Sequence, residues 1–148
     1  MRHIARVFQV TFFAAITTAS SLAESPELGG PPADYFLGKY EVIGRKPGSN
    51  ATYSGTLELT AVPDDAFVVI RRVGDHKVEG TAALERASSP ADHPVVLRVQ
   101  FKYGGHEYEG TFLWRSDFDN YPRLTGLIFE RGKKKSVGLE AWFPVHPR

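Results

Sequence analysis

The residues able to do chemistry in this chain are few and widely spaced. Beyond residue 23 the histidines are His76, His93, His106 and His146. No two stand two or four apart beside a third ligand, the arrangement a metal site uses, so no metal and no cofactor is expected. Acids gather in "SDFDN" (116–120), where Asp117, Asp119 and Asn120 offer oxygens, but the glycine and distant glutamate of a calcium loop are missing. Turn chemistry, in which Asp and Asn bond their own backbone, accounts for them. Glu107 and Glu109 flank Tyr108 in an alternating stretch and read as solvated strand residues rather than the facing carboxylates of a hydrolase. "GKKK" (132–135) could attract an anion, and it equally keeps a hairpin tip soluble. Arg71 stands apart. It shares a strand face with Phe67 and Val69, and a buried guanidinium needs an acidic partner or an anionic ligand. If the interior holds a fatty-acid-like carboxylate, Arg71 is the residue to meet it. In the opposite phase, with Val68 and Ile70 inward, Arg72 takes that role.

Period-two alternation dominates the elements that carry these residues, and no stripe of helical period appears. Strands are expected over 38–45, 52–61, 66–73, 77–85, 95–103, 106–114, 123–131 and 136–143. Turn residues separate them: "KPGSN" (46–50), "PDD" (63–65), "GD" (74–75), "GG" (104–105) and "GKKK", with longer loops at 86–94 and 115–122. The expected inner faces gather Tyr40, Tyr53, Phe67, Arg71, Phe101, Tyr103, Tyr108, Phe112 and Trp114. These nine are the candidate ligand-binding residues, because a small barrel either fills its interior with such rings or leaves room for one ligand. No catalytic residue is assigned.

One phrase occurs three times: "YSGTLEL" (53–59), "VEGTAAL" (78–84) and "YEGTFLW" (108–114). In each, the glycine lies on the face of the large apolar residues and the threonine on the other. Glycine in mid-strand gives up packing, but it lets a strand bend or a neighbouring ring approach. Repeated on successive strands, it suits a tightly coiled, closed sheet. The fold class read from this pattern is all-β, an antiparallel up-and-down barrel of about eight strands, with a sandwich as the other architecture.

The N-terminus reads differently. Arg2 and Arg6 precede an apolar run from Val7 to Ile16, and small residues end it at Ser20-Ser21-Leu22-Ala23. That is the layout of a secretory signal peptide, cleaved after Ala23, and the run is too short to span a bilayer. The domain plan is therefore 1–23 signal, 24–35 flexible leader ("ESPELGGPPAD" opens it), and 36–148 a single barrel domain. Secretion or a periplasmic home follows, and the absence of cysteine leaves stability to the core alone. The 18 basic and 17 acidic residues include Arg2 and Arg6, so the remainder is close to neutral, and this overall balance gives no reason to expect nucleic acid or an anionic membrane as partner.

Strand number, length and meander order resemble the calycin group, which includes lipocalins, fatty-acid-binding proteins and avidins. "LGKYEV" (37–42) resembles their first-strand Gly-x-Trp signature, with Tyr40 in the Trp position. In lipocalins a basic residue late in the chain packs that ring, a part open to Arg131 or Arg148. An avidin-like biotin site would need several tryptophans, and only Trp114 and Trp142 exist. The resemblance implies a shape and a habit of binding small apolar ligands. The functional expectation is an exported, non-catalytic barrel that binds a small apolar or amphipathic molecule. The alternative is a periplasmic protein-interaction module, such as an enzyme inhibitor acting through loops 86–94 and 115–122. An enzyme is the third class.

Overall fold

A computed structural model describes residues 31–45, 49–63, 66–88, 93–116 and 121–145. The expected signal segment, most of the leader, and parts of both long loops (89–92 and 117–120) lie outside the described residues, as do His146 and Arg148. Eight antiparallel strands follow one another: β1 Gly38–Arg45, β2 Thr52–Val62, β3 Ala66–Val73, β4 His76–Arg86, β5 Val95–Tyr103, β6 His106–Ser116, β7 Pro122–Glu130 and β8 Ser136–Pro144. Each pairs with its chain neighbour, and β1 pairs with β8, so the sheet closes as an up-and-down barrel. This is the barrel, not the sandwich. Each expected strand is present, with bounds within about two residues.

The alternation sets the faces. Tyr40 and Val42 on β1, Leu57 and Leu59 on β2, and Phe67 and Val69 on β3 point inward and are buried. Arg71 therefore faces the interior while Arg72 is exposed, which resolves the two phases weighed for β3. Each fully buried apolar side chain contributes roughly 1.5–3 kcal/mol of transfer free energy. The largest of them, Trp142, Tyr40, Phe36, Phe67 and Phe112, fill the middle and one end of the barrel.

The repeated glycines serve both uses the sequence suggested. A Cβ on Gly55 would land on the carbonyl oxygen of Arg72, and one on Gly80 on that of Gln100. There the adjacent strand's backbone crowds the inner face, as strong coiling requires. A Cβ on Gly110 would sit 2.5 Å from the ring of Phe112, and Gly126 on β7 faces the same ring from its other side. Those two glycines make room for an aromatic.

The barrel ends differ. One is closed by a short 3-10 turn, Ala33–Phe36, whose Phe36 is fully buried beneath Trp114 and Phe67. The Tyr40 hydroxyl donates to the Phe36 carbonyl at 2.7 Å and ties the turn in place. Ala33 and Tyr35, read as leader, pack against the core instead. They do so because this turn supplies the side chains that seal the end. The ends of β4, β5, β6 and β7 at Arg86, Val95, Ser116 and Pro122 lie at this closed end, and the tight turns 74–75, 104–105 and 131–135 ring the other.

Candidate functional site

At the end ringed by tight turns the interior is not filled. A cavity of about 330 Å³ opens there, walled by Tyr53, Phe101, Tyr103 and Tyr108, with Val73, Ile128 and Gly138 between them. Strand alternation delivers these rings: each is an inward position close to the mouth end of its strand, Tyr53 and Tyr108 just after a turn and Phe101 and Tyr103 just before one. Phe101 and Tyr108 stack across the β5–β6 ladder, their centroids 5.3 Å apart and their planes 20° from parallel. His76 meets Tyr103 edge-on at 5.5 Å on the rim, and Arg45 borders the mouth from the end of β1.

A buried polar cluster lies against one wall. Glu140, on the inner face of β8, is 1% exposed, and its carboxylate collects donors from three strands. Arg71 donates through Nε at 3.1 Å and again through Nη2, both to Oε1. The Tyr53 hydroxyl donates to the same oxygen, and the Trp142 indole Nε1–H donates to Oε2 at 2.8 Å. The guanidinium is also clamped between rings, 5.2 Å from the Tyr53 centroid and 5.7 Å from that of Phe101. The Arg71 side chain retains 14% exposure and lines the cavity. Among the described residues no buried side-chain nitrogen or oxygen lacks a partner, so the network is fully satisfied.

These contacts set the protonation of Tyr53. Burial pushes its phenol well above the ordinary range, and the negative charge and hydrogen bond of Glu140 push the same way. Tyr40 is raised as well, again by burial first. Neither phenol is suited to release a proton near neutral pH.

The nine sequence candidates divide into three groups. Tyr53, Arg71, Phe101, Tyr103 and Tyr108 come together around the cavity. Tyr40, Phe67 and Phe112 are packed in the core, Phe112 with its ring centroid 4.0 Å from that of Trp142. Trp114 lies at the closed end against Tyr35 and Phe36. Arg71 does have the acidic partner its position demanded, and that partner, Glu140, is the residue sequence reasoning missed. Arg131 does not pack on Tyr40; it reaches Glu107 on the surface at 3.0 Å, and the neighbour of the Tyr40 ring is Trp142. Among the described residues no cluster of three metal-ligating side chains occurs.

The geometry defines a class: a closed, eight-stranded, up-and-down β-barrel with one sealed end and one cavity at its mouth. No protein-family model and no curated protein matches the chain. Among solved structures, a de novo designed fluorescence-activating β-barrel is similar at 21% identity, over 76% of this chain and 96% of that one, with a TM-score of 0.49.

Proposed function

We propose that this protein is an exported, non-catalytic barrel that binds one small, flat, amphipathic molecule in the mouth cavity, in the manner of the calycin group. The observation that carries the reading is the cavity itself. It is large enough for a small ligand, walled mainly by aromatic rings, and it offers polar groups on Arg71, which Glu140 holds in place, and on Arg45 and His76 at the mouth. The ligand's apolar body would lie among Tyr53, Phe101 and Tyr108, and its polar end would face the arginines. Glu140 supports the non-catalytic reading, because its carboxylate is already engaged by Arg71, Tyr53 and Trp142 and is held away from solvent. Such a group orients its neighbours more readily than it transfers protons.

The test uses anilinonaphthalene sulfonate, an aromatic anion whose fluorescence rises in apolar sites. Saturable one-to-one binding is expected, together with its loss in Val73→Trp, which fills the cavity. Binding that is unchanged in Val73→Trp would place the probe elsewhere and remove the support for this reading.

A further inference from the structure

The outside of the barrel is not uniform. At mid-height the outward positions of β6, β7, β8 and β1 are mainly apolar, with Thr111 and Thr125 as the polar members, and ladder pairing makes them one surface. Ile43 lies opposite Ala141, Ala141 opposite Thr125, and Thr125 opposite Leu113. One row nearer the mouth, Leu139 lies opposite Leu127. Ile43 is 53% exposed and Leu113 56%, with Leu127, Leu139 and Phe143 also open to solvent. Four strands at about 4.8 Å spacing make this face about 15 Å wide. The outer faces of β2 and β4 carry Thr56, Glu58, Lys77, Glu79 and Thr81 in the equivalent places.

Cations border the apolar rows on the mouth side. Arg45 lies in register with Leu139, and Lys133, Lys134 and Lys135 form the β7–β8 turn. None of these four makes an ion pair with a described residue. Nearby cations are paired, Arg131 with Glu107 and Arg98 with Glu85 and Glu109. Two acids border the apolar rows: Glu41, opposite Phe143 on the side away from the lysines, and Glu109, opposite Phe129 on the mouth side and paired with Arg98.

We propose that this face docks the barrel on an anionic lipid surface. Apolar side chains on one side of a rigid body enter the boundary between headgroups and acyl chains, and neighbouring lysines meet the lipid phosphates. The charge pattern selects this occupant over a second copy. Two copies stacked about an axis along the strands would set Lys133–Lys135 against themselves, and the acids beside them, Glu109 and Glu130, are already engaged by Arg98 and His106. The proposal does not depend on the mouth cavity holding a ligand.

The chain has no cysteine, so single labels can be placed cleanly. Full-length Leu113→Cys and Glu58→Cys, each carrying a polarity-sensitive nitrobenzoxadiazole label, would be mixed with vesicles of phosphatidylglycerol and phosphatidylcholine at low salt. The label at 113 is expected to brighten and shift to the blue, and the label at 58 to stay unchanged. Vesicles of phosphatidylcholine alone should give little response. The combined variant K133Q/K134Q/K135Q should weaken partitioning by about a hundredfold, a difference that fades at high salt. An equal response at both labels, or none at 113 while the chain still sediments with vesicles, would assign the binding to another segment and overturn the proposal. A shift at 113 that grows with protein concentration without vesicles would assign the face to a second copy and overturn it too.

Discussion

Glu140 gains its place from three donors contributed by three strands, and this makes it the residue on which the upper barrel depends. Glu140 is more deeply buried than Arg71, so removing the arginine should cost more than neutralising the acid. Arg71→Met would leave a buried carboxylate with two neutral donors, and a loss of about 3–5 kcal/mol is expected from the urea midpoint. Glu140→Gln keeps a polar acceptor and should cost less. The second residue-scale expectation concerns alkaline pH. The folded state holds the Tyr53 proton above the phenol's ordinary value, so Tyr53 adds a stability contribution that is complete below about pH 10 and is lost as pH rises beyond it. Urea midpoints measured at pH 8 and pH 11 should therefore fall in the wild type and fall less in Tyr53→Phe. Tyr40, raised by the same cause, keeps part of the decline in that variant.

Among the strands, the glycines of β2, β4 and β6 separate two physical demands that look identical in sequence. Gly55 faces a neighbouring carbonyl, which cannot rotate away; Gly110 faces the Phe112 ring, which can be replaced. Gly110→Ala is expected to destabilise by about 1–3 kcal/mol, and adding Phe112→Leu should restore most of it. No side-chain change should rescue Gly55→Ala. Thermal melts of the two single variants and of the Gly110 double variant test this, and equal rescue at both sites would show that ring crowding is the common cause. The strand level is also where the sequence was most legible. Alternation placed the inner faces of β1, β2 and β6 because large apolar and polar positions there alternate, whereas on β3 the run Phe67-Val68-Val69-Ile70 left two phases open. On β8 alternation fails: the outward side holds Val137, Leu139, Ala141 and Phe143, and the inward side Gly138, Glu140 and Trp142. The apolar content lies on the wrong side for a simple rule. The feature that makes an inward glutamate tolerable is an arginine 69 residues away, a distance no local pattern reports.

At the scale of the molecule, the closed meander could be read from evenly spaced turns and repeated Gly-Thr phrases. The division of the interior into a packed part and a hollow part could not. All nine candidate residues carry the same inward signature, and only their height along the barrel axis separates core from cavity wall. That height depends on strand stagger and on the Phe36 turn, and neither leaves a local mark.

The first and last strands meet at the sealed end, where the Val145 amide donates to the Lys39 carbonyl at 2.8 Å. In a ring whose eight members are each bonded to the next, the starting strand is an accident of where the chain is cut. Joining those two neighbouring ends and reopening the ring at Gly104-Gly105 would give a circular permutant with every ladder intact.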